Sequence, residues 1–142
     1  MRSNIVRVEE NVTVAEASLS MYKKGEDCAI VSRQGRPFGI VTERDVTWKV
    51  AAKGFDPKNV KVSEIMSTPL IAIDPDEDLT EAAMIMKKHK IMRLAVVRQG
   101  SLHGVLTAAD IGRNLESYMD REIRDILGYL AGATPSYLAE EG

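Results

Sequence analysis

The chain of 142 residues is long enough for one compact domain or two small ones, and its 44% apolar content is ordinary for a protein that fills a core. A net charge of −2 supplies no field to gather nucleic acid or anionic lipid, and the longest apolar runs fall far short of a membrane span. No signal-peptide pattern precedes the first strand pattern, and the lone Cys28 sits in an apolar strand pattern, so the expectation is a cytoplasmic protein with a buried thiol.

In chain order, Ile5-Val6-Arg7-Val8 reads as a short strand. The turn residues Glu9-Glu10-Asn11 lead into a helix marked by Val14, Ala17, Leu19 and Met21. Cys28-Ala29-Ile30-Val31 and the run from Phe38 to Val41 form a strand pair about a turn at Gln34-Gly35, where Gly supplies positive φ. A second helix starts after Thr42 and runs to about Lys53, with Trp48 expected to pack. Gly54 to Asn59, with Pro57, reads as a surface connection, and Val60 to Met66 as a short docking segment.

The same order then returns. Leu70-Ile71-Ala72-Ile73 is a strand and Asp74 to Asp78 an acidic turn that suits the positive end of the next helix. Leu79, Ala82, Ala83 and Met86 mark that helix. Leu94 to Val97 and Leu102 to Leu106 pair about Gln99-Gly100, and a helix follows Thr107 to about Tyr118. Met84, Met86 and Met92 are expected in the core. His89 belongs on a solvated helix face and His103 on the sheet surface or a cleft rim; neither has metal-site spacing. From Leu115, the apolar residues Tyr118, Met119, Ile123, Ile126, Leu127 and Leu130 form one stripe of a long amphipathic helix. That stripe either packs on its own domain or makes a dimer or partner surface. After Gly132 a frayed end is expected.

The two halves are related by a gap-free offset of sixty-five residues, and twelve of the fifty pairs from Met1/Met66 to Val50/Leu115 are identical. An internal repeat governs the fold assignment. Each copy alone is too small to bury much surface, so the pair is expected to fold as one unit about an approximate two-fold axis, with a ligand cleft between the copies. The division is 1–59 for repeat one and its linker, 60–118 for repeat two, and 119–142 for the C-terminal helix and tail.

The informative motif is Gly, two apolar residues, Thr, two residues, Asp: Gly39 to Asp45 and again Gly104 to Asp110. A carboxylate accepts both hydroxyls of a vicinal diol. A Thr at a strand-to-helix junction stands beside free amides that suit phosphate. Gly inside a strand permits close approach by another group. Thr-x-x-Asp is equally a capping box, in which both side chains serve the backbone of their own helix, and an Asp so occupied is less free for a ligand.

With the strand-helix-strand-strand-helix order, Met66-Ser67-Thr68-Pro69 and Ile91-Met92-Arg93-Leu94-Ala95-Val96-Val97, these motifs resemble the tandem cystathionine-β-synthase (CBS) domain pair, the Bateman module. The resemblance spans nearly all of residues 1–118. It implies an α+β fold of two CBS repeats about a pseudo-two-fold axis, followed by the C-terminal helix. It also implies a regulatory module that binds AMP, ADP or ATP as a ligand rather than a cofactor, associates as a homodimer and controls an unidentified protein.

By resemblance, Asp45 and Asp110 meet ribose, and Thr42 and Thr107 lie beside ribose or phosphate. Arg44 and Arg93 are placed to hold phosphate. Thr68 and Ile71, with Ser67, line the cleft in copy two, as Asn4 and Val6 do in copy one. The rival readings are a ligand-free interaction module and a site for another adenosine derivative such as S-adenosylmethionine. With no nucleophile–base set and no metal set in the sequence, an enzyme is not expected.

Overall fold

The computed structural model describes residues 5–115. The apolar stripe from Leu115 to Leu130, the tail and Asn4 lie outside or at the edge of that range.

Repeat one runs β1 (Arg7–Glu9), α1 (Val14–Lys24), β2 (Cys28–Arg33), β3 (Arg36–Thr42) and α2 (Glu43–Val46). Repeat two runs β4 (Ala72–Ile73), α3 (Leu79–His89), β5 (Arg93–Arg98), β6 (Ser101–Thr107) and α4 (Ala108–Leu115). Each repeat builds one three-stranded sheet, in which the first strand pairs parallel to the second and the second antiparallel to the third. The offset survives in detail. The sheets break register at Val31/Ser32 and at Val96/Val97, and the hairpins turn through Gln34-Gly35 and Gln99-Gly100 with all four φ values positive. Two consecutive positive φ values match the strand twist, as hairpin turns of two residues require.

The helices begin where side chains can satisfy free amides. Thr13 accepts from the Glu16 amide and Asp78 from the Glu81 amide. They end at left-handed residues, Gly25 in α1 and Lys90 in α3. Along the strands of each repeat, alternate residues point to opposite sheet faces. Ala29, Val31 and Val41 pack with Val6, Val14, Ala17 and Met21 under α1, and Leu94, Val96 and Leu106 pack with Ile73, Ala82 and Met86 under α3. Ile30, Ala95 and Val105 are buried but belong to neither cluster. They occupy the other sheet faces, where β3 and β6 approach each other.

The expected docking segment is a 3₁₀ turn, Val62–Glu64, with Val62 fully buried against repeat one. The chain then lays Met66–Thr68 on β3: Ile40 and Ser67 exchange backbone hydrogen bonds of 3.1 and 2.9 Å. Gly39 makes this approach fit. A Cβ there would stand 2.8 Å from the Ser67 carbonyl oxygen.

Three expectations are corrected. The helix after Thr42 is α-helical only to Val46 and continues as a π-helix, Thr47–Ala51. The wider turn buries Val50 and leaves Trp48 exposed, with Arg44 stacked 4.1 Å from its ring centre. Of the three methionines expected inside, Met86 is buried, whereas Met84 and Met92 are exposed. His89 and His103 are exposed, and Cys28 is buried.

Candidate functional site

A cavity of about 370 Å³ lies where the end of β3 and the start of α2 face the entry segment and β5 of repeat two. Repeat one contributes Ile40, Thr42, Glu43, Arg44 and Asp45. Repeat two contributes Ser67, Pro69, Leu70 and Ile71 from its entry segment, and Lys90, Ile91, Met92 and Arg93 from the turn into β5. The walls are therefore apolar on both sides, with charge at the strand-to-helix junction and at the α3–β5 turn.

At the junction, Asp45 closes a capping box. The Thr42 amide donates to its Oδ2 at 2.9 Å, the Thr42 hydroxyl lies 3.2 Å from the same oxygen, and the Asp45 amide donates to the Thr42 hydroxyl at 3.3 Å. Its Oδ1 meets Lys49 Nζ at 3.0 Å, one helical turn on. Both carboxylate oxygens are engaged, Oδ2 by two Thr42 donors and Oδ1 by Lys49, whose Nζ also donates to the Ile65 carbonyl at 2.9 Å; a second lone pair on Oδ1 is left to accept another donor.

The equivalent junction of repeat two is more enclosed. The Thr107 amide donates to Asp110 Oδ2 at 2.9 Å, the Asp110 amide donates to the Thr107 hydroxyl at 3.1 Å, and Arg113 pairs with Oδ1. Burial pushes the Asp110 carboxyl up, but the Thr107 hydrogen bonds, together with nearby positive charge that includes Arg113, more than offset this and hold it below the ordinary carboxylate value.

Of the residues singled out in the sequence, Thr42, Arg44, Asp45, Ser67, Ile71 and Arg93 converge on this cavity. Thr68 does not line it; its methyl group faces Gly39 instead. Thr107 and Asp110 belong to the other junction. Arg93 is not free in the cavity: it forks onto Asp27 of repeat one through Nε at 3.2 Å and through a second nitrogen. Val6 is a core residue beneath α1.

Sequence reasoning missed Ile40, Glu43, Pro69, Leu70 and Lys90 as lining. Lys90 reads as one of a run of solvated lysines; the signal was its place at the left-handed end of α3 (φ 54), where repeat one uses Gly25. Among the described residues no cluster of three or more His, Cys, Asp and Glu side chains is placed to hold a metal ion, and no helix is long and apolar enough to cross a membrane.

Two α+β units of matching topology, joined about a pseudo-two-fold axis with a cavity at their junction, define a tandem-repeat binding fold. A CBS-domain profile matches residues 1–51 and 62–117, and the chain belongs to the CBS-domain family. It is 33% identical over 114 residues to the CBS domain-containing protein YhcV of Bacillus subtilis, covering 80% of this chain and 81% of that one. The hexameric CBS-CP12 protein of bloom-forming cyanobacteria superposes with a TM-score of 0.74 at 27% identity, over 98% of this chain and 86% of its own. Hypoxic Response Protein I, solved with two coordinated zinc ions, superposes with a TM-score of 0.71 at 27% identity, over 81% and 94%.

Proposed function

We propose that the chain is a regulatory module that binds an adenine nucleotide, AMP, ADP or ATP, in the cavity between its repeats. The observation that carries this reading is the placement of Asp45 and Thr42 opposite Ile71 and Ile91 of the other repeat. A ribose diol on the carboxylate puts the base between apolar walls and the phosphates toward Arg44, Lys90 and Arg93. The volume suits a small ligand. Because both repeats line the cavity, a ligand that prefers one spacing of the repeats shifts the pair toward it. The output is a change in a regulated protein rather than catalysis.

The test is calorimetric titration of the chain with adenosine, AMP, ADP, ATP and S-adenosylmethionine, repeated on Asp45→Ala. Losing charge-assisted hydrogen bonds at the diol is expected to weaken nucleotide binding roughly ten- to a hundredfold. A second reading, a ligand-free interaction module, is favoured by the closed capping box on Asp45. It wins if Asp45→Ala lowers stability and leaves nucleotide affinity unchanged. Binding of S-adenosylmethionine alone would reassign the ligand within the adenosine class.

The proposed setting is a cytoplasmic homodimer. Leu19 and Met84, exposed at equivalent positions of α1 and α3, offer an apolar face with Tyr22. Charging both positions is expected to lower the mass measured by light scattering; an unchanged mass removes that face from the interface.

A further inference from the structure

One ion pair breaks the symmetry of the two repeats. Asp27 and Met92 are equivalent positions, and their backbones behave alike: the Asp27 carbonyl accepts from the Glu43 amide and the Met92 carbonyl from the Ala108 amide, both at 2.9 Å. Their side chains diverge. Asp27 receives the Arg93 fork across the repeat boundary, a half-buried contact between residues sixty-six apart in sequence. The symmetry-related pair is Met92 with Cys28, which has no opposite charges to join. The Asp27–Arg93 clasp beside Asp45 therefore has no equivalent between the side chains of Met92 and Cys28.

Arg93 lines the cavity but Asp27 does not. The carboxylate holds the guanidinium from outside the space a ligand would fill, and two of its nitrogens are committed there. Two other cations line the same cavity. Arg44 lies over Trp48, and Lys90 is kept in a left-handed conformation that glycine adopts more readily. A non-glycine residue held in that region at a cavity wall points to a role for its side chain.

We infer that Asp27 is a charge brake on this cavity: it withholds Arg93 from anionic ligands, so a polyphosphate gains its third cation only by opening the clasp between the repeats. This rests on the proposed nucleotide site for the position of the phosphates. A single phosphate is met by Arg44 and Lys90 and leaves the clasp closed. A longer phosphate chain competes with Asp27, and the same exchange that tightens its binding releases a contact between the repeats. Discrimination between short and long phosphate chains and the conformational response thus share one pair of side chains.

The test uses the full chain with Trp48, its single tryptophan, as a fluorescent reporter. Tripolyphosphate is the adenine-free probe, beside adenosine, AMP and ATP. Asp27→Asn is expected to tighten tripolyphosphate and ATP by about tenfold or more, since a charge-assisted fork becomes available to the ligand, while AMP changes less. Adding Arg93→Gln to Asp27→Asn is expected to abolish the gain. If Asp27→Asn does not fold, as judged by its melt, Asp27→Ser carries the same comparison. Three results overturn the brake: no gain in the Asp27 variant, a gain that persists in the double variant, or no tripolyphosphate binding to either protein. If adenosine and AMP fail to bind while the tripolyphosphate series behaves as stated, the nucleotide reading fails and the brake stands. If adenosine binds and the Asp27 variant shows no tripolyphosphate gain, the brake fails and the nucleotide reading stands.

Discussion

Ala29-Ile30 of repeat one is answered by Leu94-Ala95 of repeat two, with large and small exchanged at neighbouring positions. All four are buried. Position 29 or 94 faces the helix of its own repeat, and position 30 or 95 faces the opposite sheet surface. The exchange moves volume from the face between the sheets in repeat one to the face beneath the helix in repeat two. A close-packed junction between two related surfaces needs complementary side chains, and identical ones at the same places give overlap or a void. The polar pair Arg7–Ser32, joined at 2.9 Å, follows the same pattern, with Ala72 and Val97 in the equivalent places. The repeats therefore share a backbone and divide the packing between them.

The largest expected effect tests that division. Leu94→Ala and Ile30→Ala are each expected to cost about 2–5 kcal/mol in urea unfolding. Ala95→Ile alone is expected to cost about 1–3 kcal/mol by overpacking. Combined with Ile30→Ala, it should recover part of the loss. Strict additivity of the two changes would show that the faces carrying Ile30 and Ala95 do not share a packed layer.

Next comes the point at which repeat two is attached to repeat one. Gly39→Ala places a methyl against the Ser67 carbonyl and is expected to destabilise by about 1–3 kcal/mol while disrupting the Ile40–Ser67 pair. Faster amide exchange at Ile40 and Ser67, with the α1 amides unchanged, is the readout; uniform loss of protection argues against a local clash.

A smaller effect of opposite sign concerns the helix ends. Lys90→Gly removes a left-handed non-glycine residue and is expected to stabilise the fold by about 1 kcal/mol. It should also weaken anion binding. Gly25→Ala, the mirror experiment in repeat one, should destabilise by a comparable amount without touching the ligand. Stabilisation at Lys90 with unchanged anion affinity would leave that side chain no place in the site.

The smallest effect is one of pH. The Asp110 carboxyl has a folded pKa below its unfolded value, so its contribution to stability is present above the ordinary carboxylate range and is lost as pH falls through the folded value. Asp110→Asn is therefore expected to flatten the acid limb of the stability curve below about pH 4. An acid limb unchanged in Asp110→Asn would place the lost protonation elsewhere.

Much of the fold was legible because its determinants are local. Strand alternation, helical spacing and the paired turns depend on neighbours a few residues away, and the offset repeats them twice. The cavity was legible only in part. Thr42, Arg44, Asp45, Ile71 and Arg93 come together there, because a motif at a strand-to-helix junction is carried to the surface by the strand. Thr68 did not join them: its side chain faces Gly39 while Ser67 and Pro69 on either side line the cavity. Trp48 was misjudged because the π-helical turn that rotates it outward is a tertiary outcome with no local signal.

The sequence by itself determined two copies of one α+β unit, their element order and the Thr-x-x-Asp junctions, since each follows from short-range sterics, hydrogen bonding and apolar periodicity. Only the tertiary structure decided what those junctions face. Arg93 is expected beside phosphate and Asp27 stands in no motif until the two-fold packing sets them against each other. Lys90 reads as one lysine in a solvated run until the end of α3 is brought to the cavity wall. Such contacts depend on the distance between residues far apart in the chain, which the packing of two sheets sets and no local pattern encodes.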